Sequence, residues 1–278
     1  MQNVLSQRHF HERDKNIEFK EEGHKYKILI DKESDYTSVT TWNHTHFPKF
    51  DAELVVKNMM KGKNWKEGHK YWGLKAVEII DLWTKNTSSV SGAGTDMHFE
   101  IECFMNNVVL EKNYTHKELY EEYMKTKVSI QDKSLEWQYF IQFVKDTPYL
   151  KPYRTEWIIY HEDIKLAGSI DIVYENPDGT LAIYDWKRSK EIKKVNQWNR
   201  YAITKSISQM PDTNFWHYSL QLNTYKKILE EKYDKKVTDL VLVRLHPDAE
   251  EHTYELLKVP DLSRDMQKLF LERKNIQK

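Results

Sequence analysis

Gly168-Ser-Ile-Asp171-Ile-Val-Tyr-Glu-Asn-Pro-Asp-Gly-Thr180-Leu-Ala-Ile-Tyr-Asp185-Trp-Lys187 reads as a β-hairpin. Two runs rich in Ile, Val and Tyr flank the turn cluster Asn176-Pro177-Asp178-Gly179. Pro177 presets φ at the first turn position, and Gly179 supplies the positive φ of a three-residue loop with a G1 bulge. Such a loop pairs Asn176 with Thr180, so paired residue numbers sum to 176 plus 180, or 356, and Asp171 faces Asp185.

Side chains alternate faces along a strand, which puts Leu181, Ile183, Asp185 and Lys187 on one face and Asp171 across from them. Two carboxylates in that position are about 4.5–5.5 Å apart at Cβ and repel each other. A divalent cation between them, with Lys187 one pleat further on, resolves the repulsion. A solvated surface hairpin with scattered charges is the plainer reading. Against it stand the apolar neighbours Ile170, Ile172, Ile183 and Trp186, because apolar strands rarely set two acids and a lysine on one inner face. A register slip of one residue would split the pair.

The chain has 278 residues, enough for one large domain or two small ones. Its 43 basic and 43 acidic residues cancel, so net charge says nothing about partners. No apolar run approaches roughly 18 residues, so no membrane span and no membrane partner are expected. The first residues lack the apolar stretch of a signal peptide, and an intracellular location is expected. A single cysteine, Cys103, excludes an intramolecular disulfide, a Cys-based zinc site and an all-Cys iron–sulfur cluster.

Outward from the hairpin, residues 1–22 read as a loosely held polar arm. His24–Ile30 alternates like a strand, and Asp51 is a plausible N-cap for a helix to about Met60. In KGKNWKEGHKYWGLK (61–75), basic residues interleave with aromatics, as on a nucleic-acid surface or on a solvated helix. A helix from Lys75 to near Asn86 and a flexible Ser/Gly stretch, 88–94, precede a helix over about 95–107. Its core stripe is Met97, Ile101, Phe104, Met105 and Val108, and His98 and Glu102 share a face. Helices follow at about 116–127 and 132–146. Strands are expected at Tyr153–His161, Lys165–Glu175, Thr180–Lys187, Val237–His246 and His252–Val259. Helices are expected from Asn214 to Tyr233 and after Asp261. The long polar segment 188–213 is functional or disordered. The order predicts an α/β protein, an α/β/α sandwich around a mixed central sheet of about five strands, with an N-terminal helical lobe. Residues 1–92 form that lobe and residues 93–278 the core, packed as one compact unit.

Asp171, Asp185 and Lys187 form D-x13-D-x-K. Carboxylates, a backbone carbonyl and water suit a hard cation. Cation and lysine together suit phosphodiester hydrolysis: the metal polarises the phosphoryl oxygen and activates water, and the ammonium stabilises developing charge.

The stretch resembles the PD-(D/E)xK nuclease superfamily, whose fold is restriction-endonuclease-like, and specifically its RecB-like branch. Gly168-Ser-Ile-Asp171 is similar to the second motif of that branch and Asp185-Trp186-Lys187 to the third. Gly94-Thr-Asp-Met-His98-Phe-Glu-Ile-Glu102 resembles the GxxxHxxxE first motif, and Gln221-Leu-Asn-Thr-Tyr225 the QxxxY motif. The match spans roughly residues 94–230. Ser38-Val-Thr and the Trp/Lys-rich stretch also resemble nucleases of this branch found in large DNA viruses and phages. If the source is viral, the site of action would be the host cytoplasm or nucleus.

The resemblance implies that His98, Asp171, Asp185 and the main-chain carbonyl of Trp186 bind Mg²⁺ or Mn²⁺, and that Lys187 is the catalytic lysine. Glu102 would serve a second metal or orient His98. Gln221 and Tyr225 would line the site. Glu156 lies on the neighbouring strand with its register open. A structural salt bridge to Arg154 or Lys165 is at least as good a reading as a place in the site. Some RecB-like relatives carry a four-cysteine iron–sulfur cluster, which this chain cannot hold.

The expected function is a metal-dependent DNA nuclease, an exonuclease acting on single-stranded or duplex ends. The alternatives are an RNA endonuclease of the cap-snatching type and a non-catalytic nucleic-acid-binding recombination partner. Phosphate contacts are expected from Lys61, Lys63, Arg188, Lys190 and Lys193, with Ser38 near the substrate and Trp65, Trp72 or Trp198 stacking on bases. Nothing in the sequence gives the oligomeric state.

Overall fold

The computed structural model describes residues 3–20, 22–23, 25–107 and 113–277. In chain order the elements are α1 (Val4–Arg8), β1 (Ile17–Lys20), β2 (Lys25–Ile28), β3 (Thr37–Ser38), α2 (Val39–His44), α3 (Ala52–Lys61), α4 (Ala76–Met105), α5 (His116–Lys125) and α6 (Leu135–Asp146). Then come β4 (Pro152–His161), β5 (Leu166–Glu175), β6 (Leu181–Lys187), α7 (Asn214–Lys232), β7 (Val237–Arg244), β8 (Glu255–Lys258) and α8 (Ser263–Ile276). The expected start of a strand at His24 and the stripe residue Val108 lie outside the described residues.

The central sheet is mixed and six-stranded, in the order β3-β5-β6-β7-β8 with β4 also paired to β5. The five expected strands are all present, and the two-residue β3 is the addition. The β5–β6 ladder pairs Ile172 with Tyr184, Val173 with Ile183 and Glu175 with Leu181, so residue numbers sum to 356 as the turn chemistry requires. In that turn Asn176 N–H donates to Thr180 O over 2.8 Å, and Gly179 has φ +80°. β6 and β7 are parallel, joined by a crossover that includes α7.

β4 lines one edge of β5 from Leu166 to Tyr174. β3 and β6 therefore share the other edge, β3 pairing only at Leu166–Ala167 and β6 only from Ile172 onward. Between them, at Gly168–Asp171, β5 has no strand beside it on that edge. This notch is where the candidate site forms.

Helices cover both faces. Ile183, Ile170 and Leu242 pack with Leu222, Tyr225 and Leu229 of α7, with Val39 and Trp42 of α2 and with Met266 and Phe270 of α8. On the other face, Trp186 meets Phe140 and Phe143 of α6 edge-to-face at 5.6 Å, and Phe140 meets Phe104 of α4.

Two compact units are present: residues 1–48 with 98–278, and Lys49–Met97. The division thus differs from the one expected at 92/93. Residues 1–48 group with the core because β3 joins the main sheet and Asp14 binds Arg154 over 2.7 Å and the Trp157 indole over 3.1 Å. Within the expected loose arm, the described residues are anchored: Leu5 is buried, and its N–H donates to Asn106 Oδ1. Within Lys49–Met97, Trp83 donates to Tyr71 OH over 3.0 Å and Trp65 packs on Trp72.

The Ser/Gly stretch 88–94 does not interrupt α4. Thr84, Thr87, Ser88 and Thr95 each donate a hydroxyl to the carbonyl four residues back, which spends their hydrogen-bonding capacity inside the helix. No described helix is long and apolar enough to cross a membrane.

Gly168 sits where no side chain fits. A Cβ there would lie 2.8 Å from Cε1 of the buried Tyr225 and 3.2 Å from Val39 Cγ2. Replacing Gly168 by Ala should destabilise the protein by about 1–3 kcal/mol, the usual cost of overpacking. Urea unfolding measures it, and a wild-type midpoint would show that the ring is free to move.

Candidate active site and metal centre

The β5–β6 ladder stops at Ile172/Tyr184, and the next hydrogen bond is made by a side chain. Asp171 Oδ2 accepts the Trp186 N–H over 2.9 Å. That bond holds one carboxylate in the notch and turns the Asp185–Lys187 end of β6 toward it. Asp185 is only 1% exposed, and its Oδ2 lies 2.5 Å from Lys187 Nζ. Neither Asp185 oxygen makes a well-directed hydrogen bond. Burial raises the Asp185 pKa to about 6, the Asp171 charge adds to the rise, and Lys187 opposes it. Burial would lower the Lys187 pKa, but Asp185 and Asp171 outweigh it and raise the amine above its ordinary value. The same ion pair thus accompanies a rise in both partners. Two carboxylates act on one ammonium, and Lys187 is a cation at neutral pH.

Lys187 also lies over the Tyr218 ring, 4.5 Å from its centroid. Tyr218 precedes Gln221 by three residues on α7 and so falls on the same helix face. Gln221 Nε2 donates to Tyr225 OH over 3.2 Å. Tyr225 is buried against Gly168, so the helix that bears both side chains is locked to the notch.

His98 enters from α4. Its Nε2 lies 3.1 Å from the Trp186 carbonyl oxygen, and its Nδ1 lies 3.6 Å from Asp171 Oδ2 and 4.0 Å from Glu156 Oε1. A carbonyl only accepts, so Nε2 carries the proton in this hydrogen bond and the Nδ1 lone pair faces two carboxylates. A proton on Nδ1 or a shared cation removes that conflict.

Glu156 is the site residue that the motifs did not single out. It adopts φ +42° in the middle of β4, opposite Asp171, between the pairs Thr155–Ile172 and Trp157–Ile170. Left-handed backbone at a non-glycine costs about 1–3 kcal/mol and tends to mark a functional position. The Ser169 hydroxyl donates to its Oε2 over 2.8 Å. Burial, then the Asp171 charge, raises its pKa to about 8. The salt bridges considered for it go elsewhere: Arg154 binds Asp14 and Lys165 binds Asp31. The only sequence signal was an acid on the neighbouring strand, with its register open.

Among the described residues, ligand atoms of His98, Glu156 and Asp171 all lie within 4.8 Å of one another. Asp185 stands beside this group, close enough for its charge to act on Glu156. Imidazole nitrogen, carboxylate oxygen and main-chain carbonyl are a donor set that suits Mg²⁺ or Mn²⁺. The unsatisfied Asp185 oxygens fit the same reading. Glu102, one turn after His98, has its pKa raised by burial and adds to the negative field on Glu156.

Other expected contacts are placed as follows. Arg188 Nε donates to Glu136 over 2.7 Å, Lys193 pairs with Glu191 at 2.5 Å, and Lys190 lies 3.9 Å from Asp248. Ser38 caps α2 by accepting the Thr41 N–H. Trp198 is exposed. Lys61, Lys63, Trp65 and Trp72 belong to the Lys49–Met97 unit, with both lysines and Trp72 exposed.

The raised Glu156 pKa carries a sign. In metal-free protein the folded state holds this proton more tightly than the unfolded chain. The resulting stability is full below the ordinary value of 4.5 and is lost as pH climbs toward about 8. The urea midpoint in EDTA should therefore fall between those pH values, less steeply for Glu156→Gln, and Mn²⁺ should restore more stability at the alkaline end. Parallel pH profiles for the two proteins would contradict the placement.

A family model described as the PD-(D/E)XK nuclease superfamily matches residues 102–277. No curated protein matches the chain. Among solved structures, a crystallised protein from Eubacterium rectale, named only as a candidate exonuclease, aligns at 15% identity. That alignment has a TM-score of 0.35 and covers 87% of this chain and 82% of that one. The family match spans well over half of the sequence and includes Asp171, Asp185 and Lys187, and the chain belongs to the PD-(D/E)XK nuclease superfamily.

Proposed function

We propose that the chain is a divalent-cation-dependent deoxyribonuclease that works from strand ends. One observation carries the hydrolytic reading: the buried Asp185 and the Lys187 ammonium flank Asp171 and His98 in a notch of the sheet edge. His98, Asp171, Asp185 and the Trp186 carbonyl would hold Mg²⁺ or Mn²⁺, which supplies polarisation of the scissile phosphate and a more acidic bound water. Lys187, kept protonated by two carboxylates, serves as a fixed positive charge for the developing phosphorane oxygens and not as a base. Tyr218 packs on the ammonium and keeps it aimed when Asp185 is shared with a cation. Action on ends is favoured by the resemblance to the RecB-like branch, which is rich in end-processing enzymes. An RNA endonuclease is the second reading, favoured by the imidazole within the metal set. Lys190 and Lys193 are the proposed contacts to the phosphate backbone; Lys61, Lys63, Trp65 and Trp72 are proposed, separately and within the Lys49–Met97 unit alone, as nucleic-acid contacts, and one cysteine in the chain accords with intracellular action.

Incubation with Mg²⁺ or Mn²⁺ and linear single strands, linear duplex, circles and RNA tests this. Linear DNA should be degraded and circles spared; cut circles would replace end-directed action by internal cleavage. Asp185→Ala and Lys187→Met should each lower kcat by about 100-fold or more. Wild-type cleavage by Asp185→Ala would remove the site assignment.

Tyr218→Leu should lower kcat by roughly 2- to 30-fold with KM little changed, the range of a cation–π contact, and Tyr218→Phe should recover most of it. Equal losses in Phe and Leu would show that the hydroxyl, not the ring face, matters.

A further inference from the structure

The segment between β6 and α7, residues 188–213, leaves the sheet at Lys187 and returns one turn before Tyr218, whose ring covers Lys187. Apart from a short 3-10 turn it has no regular structure, yet it is built. Tyr201 bridges Pro211, Ala202 N–H donates to Met210 O, and Asp212 N–H donates to Arg200 O. Asn196 Nδ2 donates to Asp212 O, Trp216 Nε1 to Lys194 O, and Ile203 N–H to His46 O. Ala202, Ile207 and Met210 are buried in the main core as anchors.

This fixed loop presents apolar side chains to water. Trp198 is 83% exposed and Val195 74%, and Tyr201 and Ile203 are exposed beside them. The Trp198 turn is held on both sides: its N–H donates to Asn196 Oδ1 over 2.7 Å, and Asn199 adopts φ +50°. Residues 188–205 hold six basic side chains against one acid, a local excess of five positive charges in a chain whose net charge is zero. Arg188, Lys190 and Lys193 have acidic partners, whereas Arg200 and Lys205 form no ion pair among the described residues.

We propose that this loop, which starts after the catalytic lysine and ends ahead of Tyr218, seats the unpaired bases of a single nucleic-acid strand, with Trp198 stacking on a base and Arg200 and Lys205 holding adjacent phosphates. The chemistry favours an unpaired strand over a duplex. An exposed indole needs an open base face, which internal pairs of a duplex do not offer, and stacking on such a face is indifferent to sequence. The positive charge selects a polyanion. The proposal rests on the nuclease reading for its substrate and narrows that substrate to one with a single-stranded end.

The test uses the full chain in EDTA, so that nothing is cleaved, with three probes: fluorescein-labelled oligothymidylate, a blunt hairpin duplex, and vesicles containing phosphatidylserine. Trp198→Ala should bind oligothymidylate about tenfold more weakly, at the lower end of the 1–3 kcal/mol per stacked base. It should leave hairpin affinity unchanged, and Trp198→Phe should restore most of the loss. Arg200→Ala and Lys205→Ala should each flatten the salt dependence of oligothymidylate binding. Because Trp198 is exposed, these variants should keep the wild-type circular dichroism and urea midpoint. Unchanged oligothymidylate affinity in Trp198→Ala overturns the proposal, as does an equal loss on hairpin. So does vesicle binding that Trp198→Ala removes while oligothymidylate binding persists. If wild type with Mg²⁺ or Mn²⁺ degrades none of the nucleic-acid substrates while Trp198→Ala loses oligothymidylate, the nuclease reading falls and the strand seat stands.

Discussion

Asp171 takes the hydrogen bond that the next strand pair would have made. By accepting the Trp186 N–H it ends the β5–β6 ladder with a carboxylate instead of a carbonyl. The exchange has two consequences. It leaves the middle of β5 without a strand on one edge, the notch in which the proposed site lies. It also puts a charged group in a wall of buried Ile, Val and aromatic side chains, where an uncompensated anion is costly. Everything else at the site serves to tolerate that charge.

The compensation is incomplete within the protein itself. Asp185 is sealed from water and has Lys187 beside it, but Lys187 also answers to Asp171 and leans on Tyr218. Glu156, opposite Asp171, adds a third acid and keeps a proton to near pH 8 to limit the repulsion. His98 turns a ring nitrogen toward both acids. Negative charge in excess of one ammonium, gathered around an imidazole, is what supports the proposed divalent-cation seat. The fold supports the strain through rigid partners: the Tyr225 ring against Gly168 closes the helical side of the notch, and β4 closes the other edge of β5.

Much of this was legible in the sequence, for reasons specific to particular residues. Pro177 and Gly179 permit one loop length, the loop sets one register, and a period of two then fixes which residues share a face. Asp171, Asp185 and Lys187 could be grouped on that basis alone. Glu156 could not, because its side chain reaches the site through a left-handed backbone that no propensity favours for glutamate. Strand β3 was hidden by its two-residue length. The helix through 88–94 was hidden by a Ser/Gly composition that reads as a linker, although Ser88 and the flanking Thr95 return their hydroxyls to the carbonyl one turn back. Residues 1–22 looked loose because their anchors, Asn106 and Arg154, lie more than a hundred residues away.

A cation seat built on Asp171 is tested most directly by Mn²⁺ binding, followed by calorimetry on wild type and Asp171→Asn, with urea unfolding to establish that both are folded. The isosteric amide keeps the Trp186 hydrogen bond within reach while removing the charge. Wild type should bind Mn²⁺, and the variant should bind it at least roughly tenfold more weakly. Equal affinities in two folded proteins would mean that the notch is not a metal centre.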